Sequence, residues 1–77
     1  LTRDEAGNAI SGAAVSLEAT GNVVVNDDPS GLIGLIGVND LVVVRTATAT
    51  LVVPLAQAER VKELVAEVTA RVGPQFA

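Results

Sequence analysis

Three aspartates are the best candidates for a metal site in this chain. Asp27 and Asp28 are adjacent, and Asp40 follows in the next turn. Their carboxylate oxygens could bind a hard cation such as Ca²⁺ or Mg²⁺. However, no distal glutamate completes a calcium loop, and the sequence DDPSG (27–31) is typical of a solvated turn. We therefore predict no metal-binding residues.

The chain has few side chains suited to acid–base or covalent catalysis. Histidine, tyrosine and cysteine are absent, so Ser11, Ser16 and Ser30 have no base to activate them and are predicted to be turn or surface hydroxyls. The segment GLIGLIG (31–37) could suggest a phosphate-binding loop. Such a loop leads into a helix and usually carries a lysine, whereas a turn and another strand follow here. We predict no catalytic and no cofactor-binding residues.

The composition indicates one small domain with a thin core. The chain has 77 residues, 49% of them hydrophobic and 18% charged, and charged residues make up about 25% of typical domains. Phe76 is its one aromatic residue, so the core must be built from small aliphatic side chains. We expect a partner, either the rest of a longer chain or a second copy, to cover part of the aliphatic surface. A chain that starts at Leu1 and contains no methionine is expected to be a piece of a longer product.

Charge and hydropathy exclude two classes of partner. The net charge of −4 and the scattered basic residues argue against nucleic-acid binding, which relies on clustered lysine and arginine. The longest apolar runs are far shorter than the roughly 20 residues of a membrane-spanning helix. Disulfides and thiolate metal sites are excluded because the chain has no cysteine.

Alternating side chains predict the first strands. Over residues 13–19, Val15 and Leu17 lie on one face and Ser16 and Glu18 on the other, which is the period of a half-buried strand. A turn follows in which Asn22 is expected to take a left-handed conformation.

The next extended segments cover residues 23–25, 32–37 and 41–53, so strands are predicted over about 9–53. A turn near Ala47 is expected within the longest segment. Thr46, Thr48 and Thr50 are predicted to form a ladder that faces solvent or the threonines of a neighbouring strand.

The last part of the chain predicts a helix over about 56–72. Pro54 ends the preceding strand, and Gly73 and Pro74 end the helix. Glu67 and Arg71 are spaced for an i,i+4 ion pair. The tail beyond residue 73 is expected to fray. One apolar stripe, predicted to pack on the sheet, is formed by Val61, Leu64, Val65, Val68 and Val72.

Aliphatic residues also recur at six-residue intervals, which is a mark of parallel β-helices. The interval is interrupted at Pro29 and Ala47, and a chain so rich in aliphatic residues produces such a period by chance as well. The dipeptide Gly7-Asn8 recurs as Gly21-Asn22. The aliphatic positions are Leu17, Val23, Leu35, Leu41 and Val53.

The order of four segments resembles the C-terminal region of bacterial mannose-1-phosphate guanylyltransferases. The segments are GNVVV (21–25), IGVNDLVVV (36–44), TATATLVV (46–53) and QAERVKELV (57–65). The chain departs from the family pattern at Asn39, where a glutamate is common, and at Arg45 and Thr48, where aspartates are usual. No catalytic or binding residue of the family maps onto this chain.

The resemblance implies a mainly β domain with one C-terminal α-helix, folded as a short or irregular parallel β-helix. Residues 1–77 would then be a single C-terminal accessory domain of a cytoplasmic enzyme. That enzyme would make GDP-mannose from mannose 1-phosphate and GTP with Mg²⁺, using an N-terminal α/β catalytic domain that these residues lack. The implied partners are that catalytic domain, a second copy, or both. The alternative is a free-standing, non-enzymatic β-rich oligomerisation module.

Overall fold

The computed structural model describes residues 2–76, which form six β-strands followed by one α-helix. The strands are β1 (Ala9–Ser11), β2 (Ala14–Leu17), β3 (Val23–Asn26), β4 (Ile33–Ile36), β5 (Leu41–Arg45) and β6 (Thr50–Pro54). A 3₁₀ helix, Leu55–Arg60, precedes the α-helix α1, Val61–Arg71, and a short 3₁₀ turn, Pro74–Phe76, follows it. The predicted class, mainly β with one C-terminal helix, is confirmed.

The strands alternate between two sheets, so the chain winds as a coil. One sheet has the order β1-β3-β5-β6, and the other consists of β2 and β4. The neighbours β1–β3, β3–β5 and β2–β4 are parallel, which is the path of a parallel β-helix. The last strand, β6, runs antiparallel to β5 and ends the larger sheet.

The core is one row of side chains inside the coil. The registers place Ile10 beside Val24 and Val24 beside Val43. Val24 is fully buried, and Ile33 of β4 packs against this row. Complete burial of a valine side chain stabilises a fold by roughly 1.5–3 kcal/mol. Val52, the next member of the row on β6, is 53% exposed, which marks the open end of the coil.

The coil does not follow the six-residue interval. Ala9 pairs with Val23, 14 positions later, and Val23 pairs with Val42, 19 positions later. The additional five residues enter between β3 and β4. No hexapeptide repeat organises the coil, so the six-residue interval reflects the aliphatic composition. The recurrence of Gly7-Asn8 at Gly21-Asn22, in contrast, matches the first step of 14 residues.

The longest predicted strand is a hairpin. It turns at residues 46–49, as expected near Ala47, and Arg45 pairs with Thr50. The three threonines are exposed, but they form no ladder because Thr46 and Thr48 lie in the turn. The Thr46 hydroxyl instead accepts hydrogen bonds from the amides of Thr48 and Ala49 (3.3 and 3.2 Å).

The helical region differs from the single helix that the apolar stripe predicts. Its first part is 3₁₀ and is kinked at Gln57, whose φ and ψ are −119° and 22°. Within α1 no residue is buried, and Val61, Val65 and Val68 are half-buried. The expected ion pair is present, with 2.7 Å between Arg71 Nε and Glu67 Oε2. Among residues 2–76, no helix has the length and apolarity needed to cross a membrane.

Candidate functional site

The most constrained polar group in the structure is a pair of stacked asparagines inside the coil. Asn8 and Asn22 are 1% and 0% exposed. Asn22 donates to Asn8 Oδ1 from both its Nδ2 (3.0 Å) and its backbone amide (2.9 Å). Its Nδ2 also donates to the Val38 carbonyl (3.0 Å), and its Oδ1 accepts from the Leu41 amide (2.9 Å). The pair therefore joins three successive turns of the coil.

This asparagine pair corrects the turn prediction. The left-handed residue of the turn is Gly21, with φ 69°. Asn22 instead lies directly before β3, and its side chain is buried inside the coil. The side-chain Nδ2 of Asn8 donates to the Ala19 carbonyl (2.8 Å), and the backbone amide of Asn8 donates to Asp4 Oδ1 (2.9 Å). Buried amides are hydrogen-bonded because an unpaired one is costly. The pair serves to hold the coil together and presents no group to a substrate.

A third buried asparagine holds the corner between β3 and β4. Asn26 Nδ2 donates to the carbonyls of Ala13 (2.9 Å) and Gly31 (2.8 Å), and its Oδ1 accepts from the Asp28 amide (3.0 Å). Gly12 lies directly against the Asn26 carbonyl, and a Cβ built on it would be 2.2 Å from that oxygen. The longer corner of the coil is thus a built structure with its own hydrogen bonds.

Asp28 is buried in this corner, which corrects the prediction of a solvated turn. Its Oδ1 accepts hydrogen bonds from the Ser30 hydroxyl (2.6 Å) and amide (3.0 Å). Its Oδ2 lies 3.1 Å from Arg45 Nη2. Ser30, and after it Arg45, hold the pKa of Asp28 below its ordinary value of 3.8, against the opposing effect of burial. A carboxyl held ionised in this way is a poor base, so the Ser30–Asp28 contact is structural.

The other candidates for chemistry do not converge on one site. Asp27 and Asp40 are exposed, and no group of three or more His, Cys, Asp or Glu within residues 2–76 is arranged to hold a metal ion. The segment 31–37 forms β4 and its flanks, and it leads to β5 instead of a helix. The separate aspartates do not form a site for Mg²⁺, which needs several oxygen ligands together. Segment 31–37 does not suit the phosphates of GTP, because it does not lead into a helix N-terminus.

The outer face of the β2–β4 sheet is an exposed aliphatic surface, and we call it the aliphatic face. Its side chains are 56–70% exposed and belong to Val15, Leu17, Leu32 and Ile36. The sequence predicted correctly that Val15 and Leu17 share a face, but the expectation that this face is buried is wrong. Ala14 and Ser16 turn inward, because the register places them beside the core-facing Ile33 and Leu35.

A second apolar surface lies between α1 and the β5–β6 hairpin. It is a cleft of about 290 Å³, and Phe76 contributes to its wall. The helix approaches the sheet through Val65 and Val68 without sealing the space between them. The cleft is lined by Val44, Thr46, Ala47, Thr48, Ala49, Leu51, Val65, Val68 and Phe76. The two largest apolar surfaces described here are therefore the aliphatic face and this cleft.

Comparisons with known proteins agree with this architecture. The family model described as the MannoseP isomerase/GMP-like beta-helix domain matches residues 12–68. Among solved structures, the chain is similar to mannose-1-phosphate geranyltransferase from Thermus thermophilus, with 32% sequence identity and a TM-score of 0.74. That match covers 87% of this chain and 20% of the solved one, so the chain spans about a fifth of the length of that relative. No match was found among curated proteins.

Proposed function

The chain belongs to the MannoseP isomerase/GMP-like β-helix domain family, and on that premise we propose that it is a non-catalytic domain of a nucleotidyltransferase. The observation that carries the proposal is the family match over residues 12–68. The reaction proposed for the parent enzyme joins mannose 1-phosphate and GTP into GDP-mannose and releases pyrophosphate. The Mg²⁺ and GTP of that reaction belong to an N-terminal α/β catalytic domain, and the parent works in the cytoplasm.

The role of the domain itself is to pack against another protein domain. Its chemistry supports this role, because the buried polar side chains of residues 2–76 have hydrogen-bond partners and the exposed large hydrophobic side chains, apart from Phe76, are aliphatic. The domain packs on its own catalytic domain, on a second copy, or on both. It binds neither nucleic acid nor a membrane, in keeping with its net charge of −4.

Two measurements test the proposal. The first is the native open reading frame that encodes the chain, where we expect an α/β nucleotidyltransferase domain in the same frame. The second is pyrophosphate release from mannose 1-phosphate, GTP and Mg²⁺, which we expect from the full-length parent and not from the purified 77-residue chain. Turnover by the 77-residue chain alone would refute the non-catalytic role.

A second candidate is favoured by the exposed aliphatic face. A free-standing, non-enzymatic oligomerisation module would use such a face for assembly. A start codon a few residues upstream of Leu1, with no catalytic domain in frame, would establish this alternative and exclude the first.

A further inference from the structure

The helical region, residues 55–76, is packed less firmly than the coil that precedes it. Every buried residue in the described part of the chain lies between positions 8 and 43. The core cluster of Val24, Ile33 and Val43 belongs to the coil alone. Within α1 no residue is buried, and the half-buried Val65 and Val68 face the cleft beside the hairpin. The coil therefore completes its core without the helix.

Among the described residues, polar contacts attach the helical region to the coil at its beginning. The Leu55 amide donates to the Asp40 carbonyl (2.8 Å). Over residues 56–76, the side-chain hydrogen bonds and ion pairs stay within the segment. The backbone leaves helical angles at Gln57, whose Oε1 accepts from Arg60 Nη1 (2.8 Å) on the surface. Water can replace that exposed contact, so the backbone at Gln57 can act as a hinge.

The other end of the helical region is held by an apolar side chain. Gly73 has a φ of 143° and turns the chain after α1 into the short 3₁₀ turn that carries Phe76. Phe76 is the largest apolar side chain of the sequence and is 37% exposed in spite of its place near the C-terminus. It lines the cleft together with Val68 of the helix and Leu51 of the hairpin. Its ring therefore lies where helix and hairpin meet.

We propose that residues 56–76 form a flap that opens from the hairpin as one unit, with its hinge at Gln57, and that Phe76 holds the flap closed. Opening uncovers the outer face of the hairpin, where Val44 pairs with Leu51. The core-facing Val43 is not disturbed, because neighbouring residues of a strand point to opposite faces. A segment with few buried contacts opens at a lower free energy than the whole domain.

Hydrogen exchange of the backbone amides, followed by NMR, measures this opening. In the wild-type chain we expect the amides of α1 to exchange at least roughly tenfold faster than the slowest amides of β3 and β5. Urea should accelerate the exchange of α1 less steeply than that of β3 and β5, because opening the flap exposes less surface than unfolding the domain.

Two substitutions near the C-terminus separate the role of Phe76 from a general effect on stability. Phe76→Ala should accelerate exchange throughout α1 by roughly tenfold, since the burial of a large apolar side chain is lost. The slowest amides of β3 and β5 should be unaffected. The matched control is Val72→Ala, because Val72 is 63% exposed and lies outside the cleft. It should leave exchange in α1 within about threefold of the wild type.

The position of the ring can be tested independently of exchange. Phe76 is the one aromatic residue of the sequence, so a ring current within the chain can arise from this side chain alone. We expect methyl signals of Val68 and Leu51, which line the cleft with Phe76, to be shifted upfield in the wild type. Phe76→Leu should remove these shifts while it keeps an apolar side chain at the position.

Four results would overturn the inference. If the amides of α1 and of β3 exchange at the same rate, the helix and the coil open together and no flap exists. If Phe76→Ala leaves α1 unchanged, or accelerates β3 as much as α1, Phe76 does not hold the flap. Equal effects of Phe76→Ala and Val72→Ala would point to the end of the helix in general. Methyl signals without upfield shifts would show that the ring lies outside the cleft.

Discussion

Replacing Asn22 with alanine should remove a large share of the stability of this fold. The substitution deletes three side-chain hydrogen bonds inside the coil. Two of the groups left behind keep a partner, since Asn8 Oδ1 still accepts from the backbone amide of residue 22 and the Val38 carbonyl still accepts from the Thr20 amide. The Leu41 amide loses the Asn22 oxygen that it donates to.

The expected cost follows from this accounting. An amide left without its partner in a buried site costs about 1–3 kcal/mol, and the space left by the truncated side chain adds to that. We therefore expect a loss of about 2–4 kcal/mol, a large share of the roughly 4–12 kcal/mol that a domain of this size has in total. The melting temperature should fall by about 8–32 °C, at ~4–8 °C for each kcal/mol.

Thermal unfolding followed by circular dichroism measures this effect, with Asn39→Ala as the matched control. Asn39 is exposed, and its Oδ1 accepts from the Thr20 amide (3.2 Å) and hydroxyl (2.6 Å). Water can replace these contacts, so the control should lose about 1 kcal/mol or less. Equal losses for Asn22→Ala and Asn39→Ala would refute the argument that the buried asparagine pair holds the coil together.

An aspartate at the same position adds a pH test. Asn22→Asp keeps an oxygen for the Leu41 amide, but its second oxygen faces two acceptors, the Val38 carbonyl and Asn8 Oδ1. Burial and the missing donor raise the pKa of such a carboxyl above its unfolded value. Its contribution is most favourable below about pH 4 and is lost as the pH rises. The variant should therefore differ less from the wild type at about pH 4 than at about pH 7, and an unchanged difference would contradict the assigned hydrogen bonds.

Three further predictions concern single contacts. The pKa of Asp28 is lowered by Ser30 and Arg45. The stability that its carboxylate contributes is therefore present above about pH 4 and is lost as the pH falls further. Asp28→Asn should remove that part of the pH dependence in acid unfolding curves. Gly12→Ala should destabilise the fold by about 1 kcal/mol or more beyond Gly37→Ala in urea unfolding, because both have positive φ but only Gly12 lies against a backbone carbonyl. Glu67→Gln should change the free energy of unfolding by less than about 0.5 kcal/mol, because its pair with Arg71 is exposed on both sides.

The local patterns predicted where most strands begin and end. Alternation and turn residues located the extended segments, and Pro54 correctly ended the last one. The face that points inward was not predictable from alternation alone. That choice depends on the pairing of β2 with β4, which turns the small residues Ala14 and Ser16 inward and leaves Val15 exposed.

The buried polar residues were missed for a related reason. The partners of Asn22 are 14 to 19 residues away, so no local pattern distinguishes this asparagine from one in a solvated turn. The recurrence of Gly7-Asn8 at Gly21-Asn22 was the one visible signal. Asp28 was misplaced in the same way, because Arg45, its partner, lies 17 residues further along.

The corner between β3 and β4 shows how the number of residues in one turn of the coil can vary. The strands on either side keep their register with the neighbouring turns although this corner carries five residues more than the one between β1 and β2. Asn26 and Asp28 fold those residues against the coil from within the corner itself. The number of residues in each turn of this solenoid is therefore set separately at each corner, and a corner can carry additional residues while the strands on either side stay in register.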